Sequence, residues 1–309
     1  VDVAGVDLPT GADGGATYDP AVFERFYDLM NRLARASIVA HTTGDPTAIV
    51  ADGDEALAAF DVEFFRASRR RREALLADVA AGALEADALP RDVLTTLLHN
   101  QDDLDLPDDV VLREVAYFPW VGSHSTSAQL VHAMHHMFEW LADTPGDRQR
   151  LIDDDALRQR FVHESMRLHP ASPVALRIAT CDVDIDGVGP VPEGTTVAID
   201  VAAANRDTSR FGAEPDRFDP YRTLADGVAP WGLSFGHGTH ACLGQELAGG
   251  LAPTDGLEHH LLGSVTVMAR TLLAAGARPD PDDPAELDAE TTRVVWGRYP
   301  VVFDPTLAA

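Results

Sequence analysis

Between residues 21 and 41, in AVFERFYDLMNRLARASIVAH, apolar side chains recur every three or four positions, and the spacing predicts an amphipathic helix. A second helix is predicted through EFFRASRRRREALLADVAAG, residues 63–82; its run Arg69–Arg72 covers every side of a helix and reads as solvated surface rather than a binding patch. The longest helical pattern covers residues 108–142, opening on Asp108 and Asp109, which suit a helix N-terminus, and stopping before Thr144-Pro145. Pro119, Gly122 and the poor helix formers Ser123 to Ser127 predict an interruption in its middle, a distortion that makes space for a ligand. A further helix covers residues 154–169 and ends at His169-Pro170. Beyond it the period drops to two, so VALRIA, CDVDIDG and TTVAID predict short strands. Residues 204–232 carry turn residues throughout, and so long an irregular segment inside a compact domain marks function. Helical pieces then run to about Ala275, broken by Gly249-Gly250 and Pro253, and a final pair of strands is predicted near RVVWGRYPVVF.

Composition narrows the classes. A chain of 309 residues with 45% hydrophobic content can bury a sizeable core, and no apolar run reaches the length needed to span a bilayer. The start lacks the basic flank and apolar region of a signal peptide, which gives a cytoplasmic reading, and Val1 suggests a chain that begins partway through a gene product. Fifty Asp and Glu against 24 basic residues give a net charge of −26, which repels nucleic acid and anionic membranes. Cys181 and Cys242 are too few for a disulfide framework or a cysteine-rich zinc site.

Chemistry concentrates in FGHGTHACLG, residues 235–244. A lone cysteine is ordinarily a small buried hydrophobe. Here Gly236, Gly238 and Gly244 permit left-handed turns and close approach to something flat, while backbone N–H groups and the start of a following helix would stabilise a thiolate. These are the requirements of a thiolate ligand to haem iron, with His240 placed to reach an anionic haem edge.

F-G-x-G-x-H-x-C-x-G is the haem-ligand signature of cytochromes P450, and Phe235, Gly236, Gly238, His240, Cys242 and Gly244 fill every specified position. The sequence therefore resembles that family in its bacterial soluble type, most clearly over residues 90–309. The resemblance implies a mainly α cytochrome P450 fold with small β-sheets, a single haem-binding domain over 1–309, and an N-terminal portion that is truncated or incomplete. Within HESMRLHP it identifies Glu164 and Arg167 as the family's E-x-x-R, with Arg222 in FDPYR as third member of a structural ion-pair cluster. Alone, an E-x-x-R pair is usually a solvated surface pair; its position in the series lifts it. His163-Glu164 also begins an H-E-x-x-H zinc pattern, but position 167 is Arg and that reading fails. Arg177 corresponds to the arginine that pairs with a haem propionate, alongside His240, whereas Arg206 reads as structural.

The implied activity is insertion of one oxygen atom from dioxygen into a small organic substrate. It needs haem b, electrons from NAD(P)H, and a ferredoxin with its reductase as partners. With few basic residues, the chain offers an acidic ferredoxin little complementary charge. The middle of the long helix departs from the family's A/G-G-x-acid-Thr-Thr: His124 stands for the acid and Ser125 for the first threonine, with Thr126 next. His124 can relay protons, fill core space or bond a neighbouring helix, or mark another chemistry: peroxide use, rearrangement, dehydration or coupling. A haem-binding partner protein without turnover also remains open. Residues 249–264 look like an insertion after the cysteine loop. His132, His135 and His136 have metal-like spacing with Glu139, which packing and solvent exposure explain as well.

Overall fold

The computed structural model describes residues 3–8, 19–251 and 260–309. The chain forms two compact units, Val1–His124 and Ser125–Ala309.

In the first unit, Asp19 caps α1 (Pro20–Ser37) by accepting from the Ala21 N–H, and Asp45 caps α2 (Pro46–Phe60) through the Thr47 N–H, each ahead of a proline that suits a first helical turn. The two helices approach so closely that a Cβ on Gly53 would lie 2.3 Å from the Cβ of Ala36. The sequence pattern missed α2, whose buried positions are Ile49, Gly53, Ala56 and Phe60, a stripe largely too small to register as amphipathic. A π-helical turn, Asp61–Phe65, carries α2 into α3 (Arg66–Ala80) and leaves both Phe64 and Phe65 buried. These rings pack with Phe26, Leu29, Phe60, Leu94 from α4 (Val93–His99), and Val111 and Val115 from α5 (Asp108–Asp143).

The arginine run is not uniformly solvated. Arg72 is buried and forks onto Asp92 at 3.1 and 2.9 Å while also pairing with Asp7; Arg69 pairs with Glu73 and Asp108. Asp92 at the same time caps α4 through the Thr95 N–H, so the Arg72 pair joins two helices and the N-terminal segment. Only Arg70 and Arg71 fit the expected exposed surface.

Helix α5 runs unbroken through its anomalous middle, against the expected interruption. Val111, Val115 and Ala116 are buried before Pro119, and Ala133, Met134, Met137 and Phe138 are buried after it. Burial of both flanks outweighs one lost backbone bond. Ser123 Oγ folds back onto the Pro119 carbonyl at 2.8 Å, a side-chain bond of the kind that serine makes to the preceding turn of a helix.

The second unit packs the later part of α5 with α6 (Arg148–Asp153) and α7 (Asp155–Leu168) around Met137, Leu151, Phe161, Val162 and Met166. Antiparallel β1 (Val174–Ile178) and β4 (Thr196–Asp200) pair in register from Val174↔Asp200 to Ile178↔Thr196. β2 (Val183–Ile185) pairs with β3 (Gly189–Val191), a strand hidden in the sequence among glycines and prolines. Two four-residue helices, α8 (Val201–Ala204) and α9 (Thr208–Phe211), punctuate the irregular segment. After the cysteine loop come α10 (Gln245–Ala248) and α11 (Ser264–Ala274), and Val265, Ala269 and Leu273 of α11 join the core. Half of the expected insertion, residues 252–259 with Pro253, lies outside the described residues. The last two strands are not partners: β8 (Val301–Phe303) pairs with β5 (Ala277–Pro279), and β7 (Trp296–Arg298) with β6 (Glu286–Leu287). Tyr299-Pro300 has none of the glycine-based turn chemistry that would fold β7 onto β8.

Candidate functional site

Helix α7 is buried on nearly every side; from Leu157 to Leu168 only Arg160 escapes burial. Its polar residues are therefore internal connectors. Glu164 and Arg167 form a bidentate pair, both bonds 2.7 Å, and Arg222 adds bonds of 3.2 and 3.1 Å to Oε1 of the same carboxylate. The Asp219 N–H donates to that oxygen at 3.0 Å. Arg167 spends its remaining fork on the carbonyls of Asn205 and Pro215 and lies 4.9 Å from the Phe211 ring centre. The three charged residues and the irregular segment thus form one buried cluster.

The same helix holds the cysteine loop from both sides. Upstream, Ser234 Oγ donates to the Met166 carbonyl at 2.7 Å, and fully buried Asn205 donates to the Arg167 carbonyl and Ser234 while accepting from the Leu233 N–H. Gly232, at φ 60°, admits this contact, since a Cβ there would lie 2.2 Å from Asn205 Oδ1. Downstream, His163 Nε2 donates to the Gly249 carbonyl at 2.7 Å and Gln159 Nε2 to Leu261 at 2.7 Å. Sequence reasoning passed over Asn205, Ser234, Gln159 and this use of His163. The available signal was the polar face of an otherwise core-forming helix.

Between those anchors the loop closes on itself. Gly236 and Gly238 turn at φ 70° and 75°, and the Cys242 N–H donates to the Phe235 carbonyl at 2.7 Å. Phe235 packs edge-on to Trp231 and against Gly249, which fixes the loop's base. Cys242, Leu243 and His240 are exposed, and a Cβ on Gly244 would stand 3.7 Å from Cys242 Sγ. Arg177 is exposed on β1, with Nη1 donating to the Leu176 carbonyl. An accessible thiol on a glycine turn, with an imidazole and a guanidinium also accessible, is a donor set that fits an iron-bearing macrocycle with two carboxylates. Helix α10 starts at Gln245, three positions after the cysteine, with Gly244 as its N-cap.

On α5, His124 Nε2 stands 3.0 Å from Asn31 Oδ1 of α1, while Ser125 and Thr126 are half-buried on the following positions. Arg206 is structural: it donates to the carbonyls of Ala202 and Leu168 and pairs with Asp216 at 3.0 Å.

The α5 histidines form a packed array with His169. His132 stacks on His169 at 4.2 Å, and His136 Nε2 meets His169 Nε2 at 3.0 Å while its ring stacks on Phe218. His135 reaches the Tyr299 hydroxyl and Glu139. Burial, reinforced by repulsion from neighbouring basic groups, pushes His132 down to about 4, His136 to about 3 and His169 to about 2, so these rings are neutral near pH 7. A neutral ring is also what the His136–His169 contact requires, because one nitrogen must accept. Among the described residues no group of three or more His, Cys, Asp and Glu is arranged to hold a metal ion, and no helix is long and apolar enough to cross a membrane.

The sequence profile of the family "Cytochrome P450" matches residues 62–249, more than half of the chain and further upstream than the motifs alone reach. The chain is 36% identical over 167 residues to "Cytochrome P450 BJ-3" of Bradyrhizobium diazoefficiens, covering 51% of this chain and 38% of that protein. It is 30% identical over 239 residues to "Cytochrome P450 105A3" of Streptomyces carbophilus, covering 72% and 53% respectively. The solved structure of open cytochrome P450 EryK from S. erythraea superposes with a TM-score of 0.62 at 24% identity, covering 94% of this chain and 65% of that one. The chain belongs to the cytochrome P450 family and has its fold, mainly α with small β-sheets. It spans about two fifths to half the length of those two curated relatives.

Proposed function

We propose that this chain is a haem-thiolate monooxygenase of a small organic substrate, held to its haem by Cys242. The cysteine loop carries the reading: an accessible sulfur on left-handed glycines, tied to α7 on both sides. Haem b, when bound, supplies the iron at which dioxygen is reduced and one oxygen atom passes to substrate, with electrons from NAD(P)H delivered by a ferredoxin and its reductase. Cys242 thiolate would hold the iron and donate electron density to it, and His240 and Arg177 would bind the propionates. The Phe235 carbonyl, by engaging the Cys242 N–H, fixes the backbone that aims the sulfur. On α5, the Ser125 and Thr126 hydroxyls would pass protons and His124 would supply them, its ring oriented by Asn31. On this reading the two compact units belong to one haem-binding domain over 1–309, in a protein of cytoplasmic type.

Reduction under carbon monoxide tests the ligand. The expected outcome is a Soret band at the thiolate position, moved to the imidazole position by Cys242→His; a wild-type band at the imidazole position removes the reading. Turnover is tested separately: His124→Ala and Ser125→Ala should keep that spectrum and lower dioxygen-driven product formation by roughly a hundredfold, the low end of the range for a lost proton-transfer group.

A further inference from the structure

All 24 basic residues of the chain are arginines. Among the described residues, burial lowers the basicity of two of them, Arg148 and Arg293. Arg148 is satisfied by the carbonyls of Leu273, Ala277 and Leu307. Arg293 is not matched in this way. Its Nη1 donates to the Ala171 carbonyl at 3.0 Å and its Nε reaches Thr291 Oγ1 at 3.4 Å, and no described carboxylate forms an ion pair with it. Asp288 acts on it only at longer range. A half-buried guanidinium without a counter-charge is costly, and this chain has 50 acidic side chains from which a partner could have been drawn.

Arg293 lines a cavity of about 280 Å³ with His169, Arg206, Pro170 and Pro173. The other charged groups at the cavity are already engaged. Arg206 is paired with Asp216, and Asp200 accepts from the Ala203 N–H at the start of α8. His169 is neutral, so it can accept or donate without opposing a negative guest. Behind this wall, His132 Nε2 and Gln129 Oε1 are buried without a hydrogen-bond partner; His132 stacks on His169 and the Gln129 amide donates to the His169 carbonyl. The two prolines give the cavity a dry side suited to an organic body attached to the anion.

We infer that this cavity binds a small oxyanion, a carboxylate or phosphate group, with the Arg293 guanidinium as its receptor. The site does not depend on the haem reading. Either a free anion or the acidic group of an organic ligand supplies the chemistry.

Isothermal titration of the haem-loaded chain with inorganic phosphate and, separately, with benzoate, at constant ionic strength against chloride, tests the inference. Saturable binding of at least one probe is expected, with a Kd on the order of 1 mM. Arg293→Gln should weaken it by roughly tenfold or more, and Arg293→Lys should recover part of the loss because charge returns without the fork. Tighter binding of phosphate assigns a free anion, and tighter binding of benzoate an organic acid. The inference is overturned if neither probe saturates, or if wild type and Arg293→Gln titrate alike. Loss of haem absorbance in Arg293→Gln with unchanged titrations would overturn it by assigning the guanidinium to a propionate.

Discussion

At the scale of single residues, Glu164 has the largest consequence per atom. Its carboxylate takes Nε and Nη2 of Arg167, two nitrogens of Arg222 and the Asp219 N–H, all in a largely buried site. Removing it leaves two guanidiniums facing each other without compensation, so Glu164→Ala should lower the unfolding free energy by about 3–5 kcal/mol in urea titration. Asn205 acts through geometry rather than charge. Asn205→Ala would orphan the Leu233 N–H and the Arg167 carbonyl in one step, at an expected cost of about 1–3 kcal/mol by the same measurement. The spacing of Glu164 and Arg167 was visible in sequence because helical neighbours sit three apart. Asn205 and Ser234 were not visible, since their partners lie 38 and 68 positions away, and nothing local marks such a bond.

At the scale of elements, α5 separates what pattern conveys from what packing decides. Its acidic start and its end before Pro145 were legible, and so was the unusual composition of its middle. The break inferred from Pro119 was not realised, because apolar residues on both sides are buried and propensity is the weaker force. Replacing Pro119 with Ala returns a donor to the helix and removes a ring from the preceding turn. Stability should rise by up to about 3 kcal/mol, read as a higher urea midpoint; a lower midpoint would show that the ring's packing outweighs the missing bond. Helix α2 and strand β3 escaped the pattern for the opposite reason: small residues and glycines carry them, and close approach, as of Gly53 to Ala36, leaves little hydrophobic signal. Arg72 escaped because four consecutive arginines look alike until Asp7 and Asp92 arrive from other segments.

At the scale of the whole molecule, two electrostatic terms meet as pH falls. A net charge of −26 at pH 7 strains the compact state, and protonating exposed carboxylates relieves that strain. Two buried histidines and two half-buried ones act against this relief. His163, pushed down to about 4 mainly by burial, joins His132 at about 4, His136 at about 3 and His169 at about 2, all below the ordinary value of 6.5. Between pH 6.5 and about 4 the unfolded chain binds protons on these rings that the folded chain refuses. Their contribution to stability is thus complete above 6.5 and declines as pH falls, by about 1.4 kcal/mol per histidine per pH unit. Four such groups give a slope of several kcal/mol per unit, enough to exhaust a typical domain stability of about 5–15 kcal/mol within two or three units. Counted down from 6.5, the protein should therefore unfold on acidification with a midpoint at about pH 4. His132→Leu removes one ring together with its unpartnered Nε2, and should move the midpoint of a circular-dichroism pH titration to lower pH and flatten its slope. An unchanged midpoint would mean that exposed groups, rather than the buried array behind α5, set the acid limit of the fold.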